Sequence, residues 1–328
     1  MRSKYTVLKP KSAMMSPFRW LTLAAALTIA AAPVAMAAED IGAIAVKRYF
    51  LAQADARCHL LDKATASALK AGYIQARNSA LRSGYTMAQI SPWLARARTA
   101  AANASCQAPE IASEVQLARS GFRGFLAQTS LYLPSQRTAW RASRAFGDKT
   151  EWRLVQYQNV AGTDAALGLY GTLAHNSFSV MASFADGAHP YSARLLVRDP
   201  SVNAIGLINP SPYALSQTMP QGMSETGFVS FTAQDTGEAN ALLSPQVTTN
   251  SAGYSLTGDY VGEQGPVDAL RFDFPTRAFS AMARLDPRED VIVVFESEDG
   301  PRYLRFEVGD FITGLTYIGL PSPYGGKI

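Results

Sequence analysis

The side chains best suited to acid–base catalysis are scarce in this chain, which contains three histidines among 328 residues. His189 lies in a stretch typical of a turn, residues 186–190, where a neighbouring carboxylate could orient the imidazole for proton transfer. His175 precedes Ser177 by two residues, a spacing that could join a base to a nucleophile, although the G-x-S-x-G motif of serine hydrolases is absent. A solvated turn and the start of a strand explain these patterns without catalysis, so we predict no catalytic residue.

Acidic residues gather at one place, where Asp286, Glu289 and Asp290 surround Arg288. Carboxylates at this spacing could bind a cation, but a solvated turn between a helix and a strand gives the same pattern, and we favour the turn. The H-E-x-x-H, P-loop and G-x-G-x-x-G motifs are absent, so we predict no metal site and no cofactor. A carboxylate pair of the glycosidase type stays open, because its two members come from distant positions and leave no local motif.

The two cysteines, Cys58 and Cys106, could bind a metal, take part in redox chemistry or form a disulfide. Their spacing is not that of a zinc site, and His59 beside Cys58 does not complete a C-x-x-C-H haem site. Two free buried thiols are the main alternative to the disulfide that we predict. On the chain-entropy account, closing a loop of about 49 residues would stabilise the fold by roughly 4 kcal/mol.

The first 37 residues have the three parts of a secretory signal peptide: basic side chains, an apolar run over residues 20–32, and the small-residue site Ala35-Met36-Ala37. The apolar run is shorter than the roughly 20 residues that a membrane span needs. We therefore predict cleavage after Ala37, no stable membrane anchor afterwards, and a periplasmic or secreted protein. An oxidising compartment of that kind also favours the disulfide.

Removal of the signal peptide also removes the basic excess of the chain. Five of the 30 Lys and Arg residues lie in the first 37 positions, whereas all 26 Asp and Glu residues lie beyond them. The mature chain would carry a net charge of about −1 with histidine neutral, so we predict no nucleic-acid partner.

Residues 41–128 are rich in Ala, Leu, Arg and Gln and poor in Gly, a composition that favours helices. Apolar residues recur there at intervals of three and four, which predicts amphipathic helices. Asp62 can cap the second helix, Thr86 or Ser91 can begin the third, and Pro109 can open the fourth. Because the connections are short, we expect an up-and-down bundle of four helices in which the two cysteines reach the same end.

A basic aromatic stretch follows the helical region and contains Arg137, Trp140, Arg141 and Arg144. It could bind an anion, but we favour a short connecting helix whose arginines are solvated or paired. Beyond residue 150 a two-residue period indicates a mainly antiparallel sheet.

The clearest hairpin joins residues 291–297 to 302–308 across a four-residue loop, since Pro301 cannot donate the bond of a tighter turn. This pairing places Phe295 opposite Leu304. Two short helices are expected beside the sheet, at residues 277–285 and, capped by Asp310, at residues 311–317.

Two segments fit neither period: residues 200–225, which contain several prolines, and residues 235–266, rich in Gly, Ser, Thr and Asn. Loops this long inside a compact domain are usually functional or disordered. Large apolar side chains make the first segment our candidate binding surface, with a packed irregular connection as the alternative. These side chains are Ile205, Leu207, Ile208, Tyr213 and Leu215.

Five short stretches carry a likeness to known sequences: residues 54–58, Cys106, the Trp140-Arg141 pair, residues 286–289 and residues 307–311. Through them the chain as a whole resembles an uncharacterised family of exported bacterial proteins. That family has no assigned activity, so the resemblance implies export and domain boundaries but no mechanism. The C-terminal half is also similar to invasion-associated locus B proteins, through a short helix, a strand pair and a final turn with Gly and Phe.

The predicted fold is α+β, with an N-terminal four-helix, disulfide-stapled bundle followed by a mainly antiparallel β-sheet domain with short helices. The predicted boundaries are 1–37 for the signal peptide, 38–130 for the helical domain, 131–150 for a connecting segment, 151–320 for the α+β strand-rich domain and 321–328 for a C-terminal tail.

From these features we expect a non-catalytic binding or envelope-interaction module, whose partner is an envelope protein or a glycan. The alternative is a hydrolase that acts on cell-envelope polymers with a carboxylate pair in the strand-rich domain.

Overall fold

The computed structural model describes residues 40–145, 147–203, 224–239, 249–250, 253–254 and 269–323. The predicted signal peptide at residues 1–37 lies outside these ranges. So do all five side chains of the predicted binding surface, Ile205, Leu207, Ile208, Tyr213 and Leu215.

Four helices form the N-terminal bundle: α1 (Ile41–Cys58), α2 (Lys63–Arg82), α3 (Met87–Asn103) and α4 (Pro109–Ala127). The Asp62 side chain accepts a hydrogen bond at the start of α2, and Thr86 forms a capping box at the start of α3. Pro109 is the first residue of α4, where a missing N–H costs nothing. These predicted starts are confirmed, whereas the alternative start at Ser91 lies inside α3.

The disulfide predicted between Cys58 and Cys106 is confirmed, with the two Cα atoms 5.7 Å apart. It joins the last residue of α1 to the connection that follows α3. Helix α1 contacts each of the other three helices, and Leu51, Leu69 and Ile111 are buried between them. The bond therefore closes one end of the bundle around a packed apolar core.

Two antiparallel sheets follow, with the strand orders β1-β2-β3-β4-β5-β11-β8 and β13-β12-β6-β7, and β9 pairs separately with β10. The strands are β1 (Ser130–Pro134), β2 (Ala139–Ser143), β3 (Glu151–Val160), β4 (Thr163–Gly171), β5 (Asn176–Phe184), β6 (Ser192–Arg198), β7 (Phe228–Thr232), β8 (Asp235–Ala239), β9 (Thr249–Asn250), β10 (Gly253–Tyr254), β11 (Ala269–Phe274), β12 (Asp290–Ser297) and β13 (Gly300–Glu307).

The main core combines side chains from both sheets, such as Leu154 and Phe178 from the larger one and Phe295 from the smaller one. Two short helices, α5 (Thr276–Met282) and α6 (Phe311–Ile318), add Ala278 and Phe311 to this core. The described residues belong to a single compact unit. The predicted fold class, an α+β protein with a disulfide-stapled helical bundle and mainly antiparallel sheets, is confirmed.

The helix predicted within residues 131–150 is wrong, because these residues form the hairpin of β1 and β2. Leu133, Trp140 and Ala142 are buried in the main core. Their alternation with more polar neighbours is a two-residue period, which the basic side chains of the stretch obscure.

The register predicted for the C-terminal hairpin is also wrong, by two residues. Phe295 pairs with Arg302 rather than with Leu304, and Ser297 pairs with Gly300, which leaves a two-residue loop. Pro301 is tolerated because β13 is an outer strand, where a proline nitrogen can face away from its neighbour. A shift by an even number of residues keeps the same side chains on the core face.

Asp310 joins the helical bundle to the strand-rich half. It occupies the position before α6, as predicted, but its side chain makes no capping hydrogen bond there. The buried carboxylate instead accepts hydrogen bonds from Asn78 at 2.8 Å and Arg82 at 3.0 Å, both on α2. Burial raises the pKa of Asp310, and the positive charge of Arg82 acts against that rise.

Candidate functional site

Asp290 and Glu307 are opposite residues of β12 and β13, and both belong to a buried ion-pair network. Asp290 accepts hydrogen bonds from Arg305 and, at 2.7 Å, from Nη2 of Arg137. Glu307 accepts hydrogen bonds from the backbone N of Thr138 at 2.9 Å and from its Oγ1 at 2.8 Å, and lies 3.3 Å from Nε of Arg137. The network therefore fastens β13 to the loop between β1 and β2.

The predicted turn between α5 and β12 is present, but its predicted solvation is wrong for Glu289 and Asp290, which are buried, whereas Asp286 is partly exposed. Glu289 is 1% exposed, and its carboxylate accepts hydrogen bonds from Arg198 at 2.6 and 2.7 Å. Asp286 pairs instead with Arg288, at 2.9 Å. In the part of the chain that the structure describes, no group of three or more His, Cys, Asp or Glu side chains could hold a metal ion.

Two carboxyls of this region have pKa values shifted in opposite directions. Burial raises the pKa of Asp290 to about 6, although the charges of Arg305 and Arg137 act against the rise. Burial also favours a higher pKa for Asp286, but hydrogen bonds from Arg288 outweigh it and leave that pKa below its ordinary value. Arginine donors occupy the oxygens of both carboxyls, so the arrangement stabilises the fold and offers no free acid or base.

The basic aromatic stretch is buried as well, which gives it a structural role. Trp140, Arg141 and Arg144 are at most 8% exposed. Arg144 donates a hydrogen bond to the carbonyl oxygen of Gln128 at 2.7 Å, and its guanidinium carbon lies 4.4 Å from the centre of the Tyr317 ring. These contacts hold the end of α4 against α6.

His59, His175 and His189 are all exposed. His59 follows α1 in a left-handed conformation with φ of 52°. Asp186, which could have oriented His189, accepts hydrogen bonds from Arg302 at 2.8 Å and from the backbone N of Ala188 at 3.2 Å. The structure thus brings no described carboxylate to a histidine, and the absence of a catalytic residue stays a prediction.

Asp235 and Asp273 are opposite each other on β8 and β11, beside a cavity of about 400 Å³. Nε of Arg271 lies 3.3 Å from Asp273, and its Nη2 lies 4.0 Å from Asp235. Ser179 donates a further hydrogen bond to Asp273 at 2.6 Å. One guanidinium group therefore lies between the two carboxylates and balances one of their two charges, which suits a structural pair better than a general acid and base.

A second cavity, of about 360 Å³, lies between α5 and the strands β6 and β7. We call it the arginine cleft. One wall comes from α5 and the turn after it, in which Arg284 N bonds the carbonyl oxygen of Ala281 and so continues the helical path. The cleft is defined by Arg198, Val229, Phe231, Arg277, Ser280 and Arg284.

Arg277 and Arg284 differ from the other arginines of the strand-rich half. Among the described residues, neither guanidinium group has a hydrogen-bond or ion-pair partner, although Arg277 lies 5.8 Å from the centre of the Phe231 ring. Each of the other seven arginines described from residue 151 onward pairs with a carboxylate. Two exposed positive charges therefore face the cleft with their donors available.

The remaining charges around the cleft are already occupied. Arg198 is held by Glu289 and by the carbonyl oxygen of Asn203, 2.8 Å from its Nη1. Asp199 accepts hydrogen bonds from the backbone N and Oγ of Ser201, and these bonds lower its pKa. The cleft is consequently electropositive, and its free donors come from α5 and the turn that follows it.

The cleft was not predicted from the sequence, although the sequence contains a pattern that indicates its helical wall. Arg277, Ser280, Ala281 and Arg284 have the spacing i, i+3, i+4, i+7, which places them on one helical face. No Asp or Glu occurs between Phe274 and Asp286 to balance the two arginines. The opposite wall, from β6 and β7, depends on long-range strand pairing that no local pattern reveals.

No family model, curated protein or solved structure matches this chain. Within the described ranges, we find no helix long and apolar enough to cross a membrane.

Proposed function

We propose that the protein is an exported binding protein whose arginine cleft receives an anionic ligand. The observation that supports this proposal is the pair of guanidinium groups, Arg277 and Arg284, that face the cleft without a carboxylate partner among the described residues. A guanidinium group presents planar donors that match carboxylate and phosphate oxygens. The other described arginines of the strand-rich half are paired with carboxylates of the protein. A ligand with such oxygens would give Arg277 and Arg284 the anionic partners that they lack.

Export is supported by two separate features of the chain. The N-terminal sequence has the parts of a signal peptide, and the Cys58–Cys106 disulfide suits an oxidising compartment. A periplasmic or secreted location would place the arginine cleft among envelope components, where an envelope protein or a glycan with acidic groups could be the partner. The hydrolase alternative stays a prediction, since the two facing carboxylate pairs described above, Asp290 with Glu307 and Asp235 with Asp273, each lie against arginine.

The proposal predicts that the double variant Arg277→Gln, Arg284→Gln loses anion binding. Inorganic phosphate should raise the thermal unfolding temperature of the wild type more than sodium chloride of equal ionic strength, because a ligand that binds only the folded state stabilises it. Each lost charge-assisted hydrogen bond should weaken binding by roughly tenfold or more. Titrating phosphate while recording the unfolding temperature measures the affinity of each form.

The matched control is the double variant Arg96→Gln, Arg98→Gln, which removes two exposed arginines from α3 in the helical bundle. It lowers the net charge by the same amount but leaves the cleft intact. The control should bind phosphate as the wild type does. Equal phosphate responses in all three proteins would show that the stabilisation is a general salt effect and would overturn the proposal.

A further inference from the structure

The lining of the arginine cleft combines free guanidinium groups with apolar side chains, and this combination bears on the chemistry of the ligand. We propose that the cleft takes an amphipathic acid, with its acidic head at Arg277 and Arg284 and its apolar body against Val229, Phe231 and Leu285. This inference rests on the proposed function and specifies its ligand class.

The head-binding side is formed by one face of α5 and of the turn that continues it. Arg277 and Arg284 are seven residues apart, about two helical turns, and Ser280 lies between them on the same face. Ser280 Oγ is 3.3 Å from the carbonyl oxygen of Thr276, which leaves the lone pairs of the hydroxyl oxygen available. Two long flexible cations flanking a hydroxyl group suit a carboxylate or phosphate, and both arginines are exposed enough to move onto it.

The body-binding side is apolar. Phe231 and Leu285 line the cleft and are largely buried, and Val229 on β7, which also lines it, is 39% exposed. A small inorganic anion in contact with these side chains would give up hydration without gaining hydrogen bonds there. An apolar chain would instead be removed from water together with the exposed part of Val229, and this burial of apolar surface favours binding.

The charges around the cleft disfavour a cationic amphiphile. Three arginines line the cavity against one carboxylate, Asp199, and Arg198 is balanced by Glu289, so the lining keeps a net positive charge. A cationic head beside Arg277 and Arg284 would be repelled by that charge. The sign of the head group thus follows from described side chains.

Calorimetric titration of the full chain with dodecanoate, acetate and dodecyltrimethylammonium, each below its micelle concentration, tests this inference. Dodecanoate should bind the wild type at least tenfold more tightly than acetate, and more tightly than the cationic amphiphile. Val229→Thr keeps the side-chain shape but places a hydroxyl on the apolar wall, and should weaken dodecanoate binding by about tenfold. Val202→Thr is the matched control, because Val202 is 67% exposed and lies outside the cavity lining.

The outcomes separate this inference from the proposed function. The proposal of an amphipathic ligand would be overturned if acetate and dodecanoate bound with equal affinity, or if Val229→Thr left dodecanoate binding unchanged. Either result would leave the proposed anion site intact. Failure of both acids to bind, together with identical phosphate responses in the wild type and the Arg277→Gln, Arg284→Gln variant, would overturn the anion site itself. Tighter binding of dodecyltrimethylammonium than of dodecanoate would overturn both.

Discussion

Cys58→Ser is expected to lower the free energy of unfolding by about 4 kcal/mol, and Cys106→Ser by the same amount. The two cysteines are 48 residues apart, so their bond restricts a long loop of the unfolded chain. The folded bundle should keep its shape, because Arg57 still donates to the carbonyl oxygens of Ala101 and Ala104 at the same end. Chemical denaturation under oxidising conditions measures the loss.

Both substitutions remove one shared bond, so the double variant should be no less stable than either single variant. Wild-type protein treated with a reductant should show the same loss, which provides a control without any substitution. Losses that add in the double variant would mean that each cysteine stabilises the fold through separate contacts.

Glu307→Gln is expected to lower the free energy of unfolding by about 3–5 kcal/mol, because it leaves the network of Asp290, Arg137 and Arg305 with one positive charge in excess away from water. The carboxylate oxygens of Glu307 accept hydrogen bonds from the backbone N–H groups of Arg137 and Thr138 and from the Thr138 hydroxyl. An amide nitrogen in place of one oxygen would face these donors with hydrogens of its own. Denaturant unfolding at neutral pH measures the effect.

Glu296→Gln on β12 is the matched control for this substitution. Glu296 also pairs with an arginine, Arg194 at 2.8 Å, but its side chain is 23% exposed. Pairs that water screens contribute roughly 0–1 kcal/mol, so the control should lose far less stability. Similar losses in the two variants would show that burial of the Glu307 network adds nothing to its effect on stability.

The parts of the fold that depend on neighbouring residues could be predicted from the sequence. The starts at Asp62 and Thr86 are set by capping within one turn, and Pro109 begins α4 at a position that needs no N–H group. The alternation in β5 places large apolar side chains such as Phe178 in the main core. The disulfide could be predicted because an exported protein meets an oxidising compartment and because an up-and-down bundle brings both cysteines to the same end. The register predicted for the hairpin of β12 and β13 was wrong, because β13 is an outer strand and tolerates a proline that an inner strand would exclude.

The environment of charged side chains could not be predicted, because their partners are distant in sequence. Arg137 and Asp290 are 153 positions apart, and Arg198 and Glu289 are 91 apart. A local pattern of acids and arginines looks the same whether it is solvated or buried in pairs. The same limit applies to the arginine cleft, since its helical face is visible in the sequence and its strand wall is not.

The central claim is that Arg277 and Arg284 make the arginine cleft selective for acids, and reversing their charge tests it most directly. Both side chains are exposed, so the double variant Arg277→Glu, Arg284→Glu should fold as the wild type does, which circular dichroism can verify. Calorimetric titration should then show that the variant has lost dodecanoate binding and binds dodecyltrimethylammonium instead. A variant that keeps the wild-type preference for dodecanoate would contradict the claim.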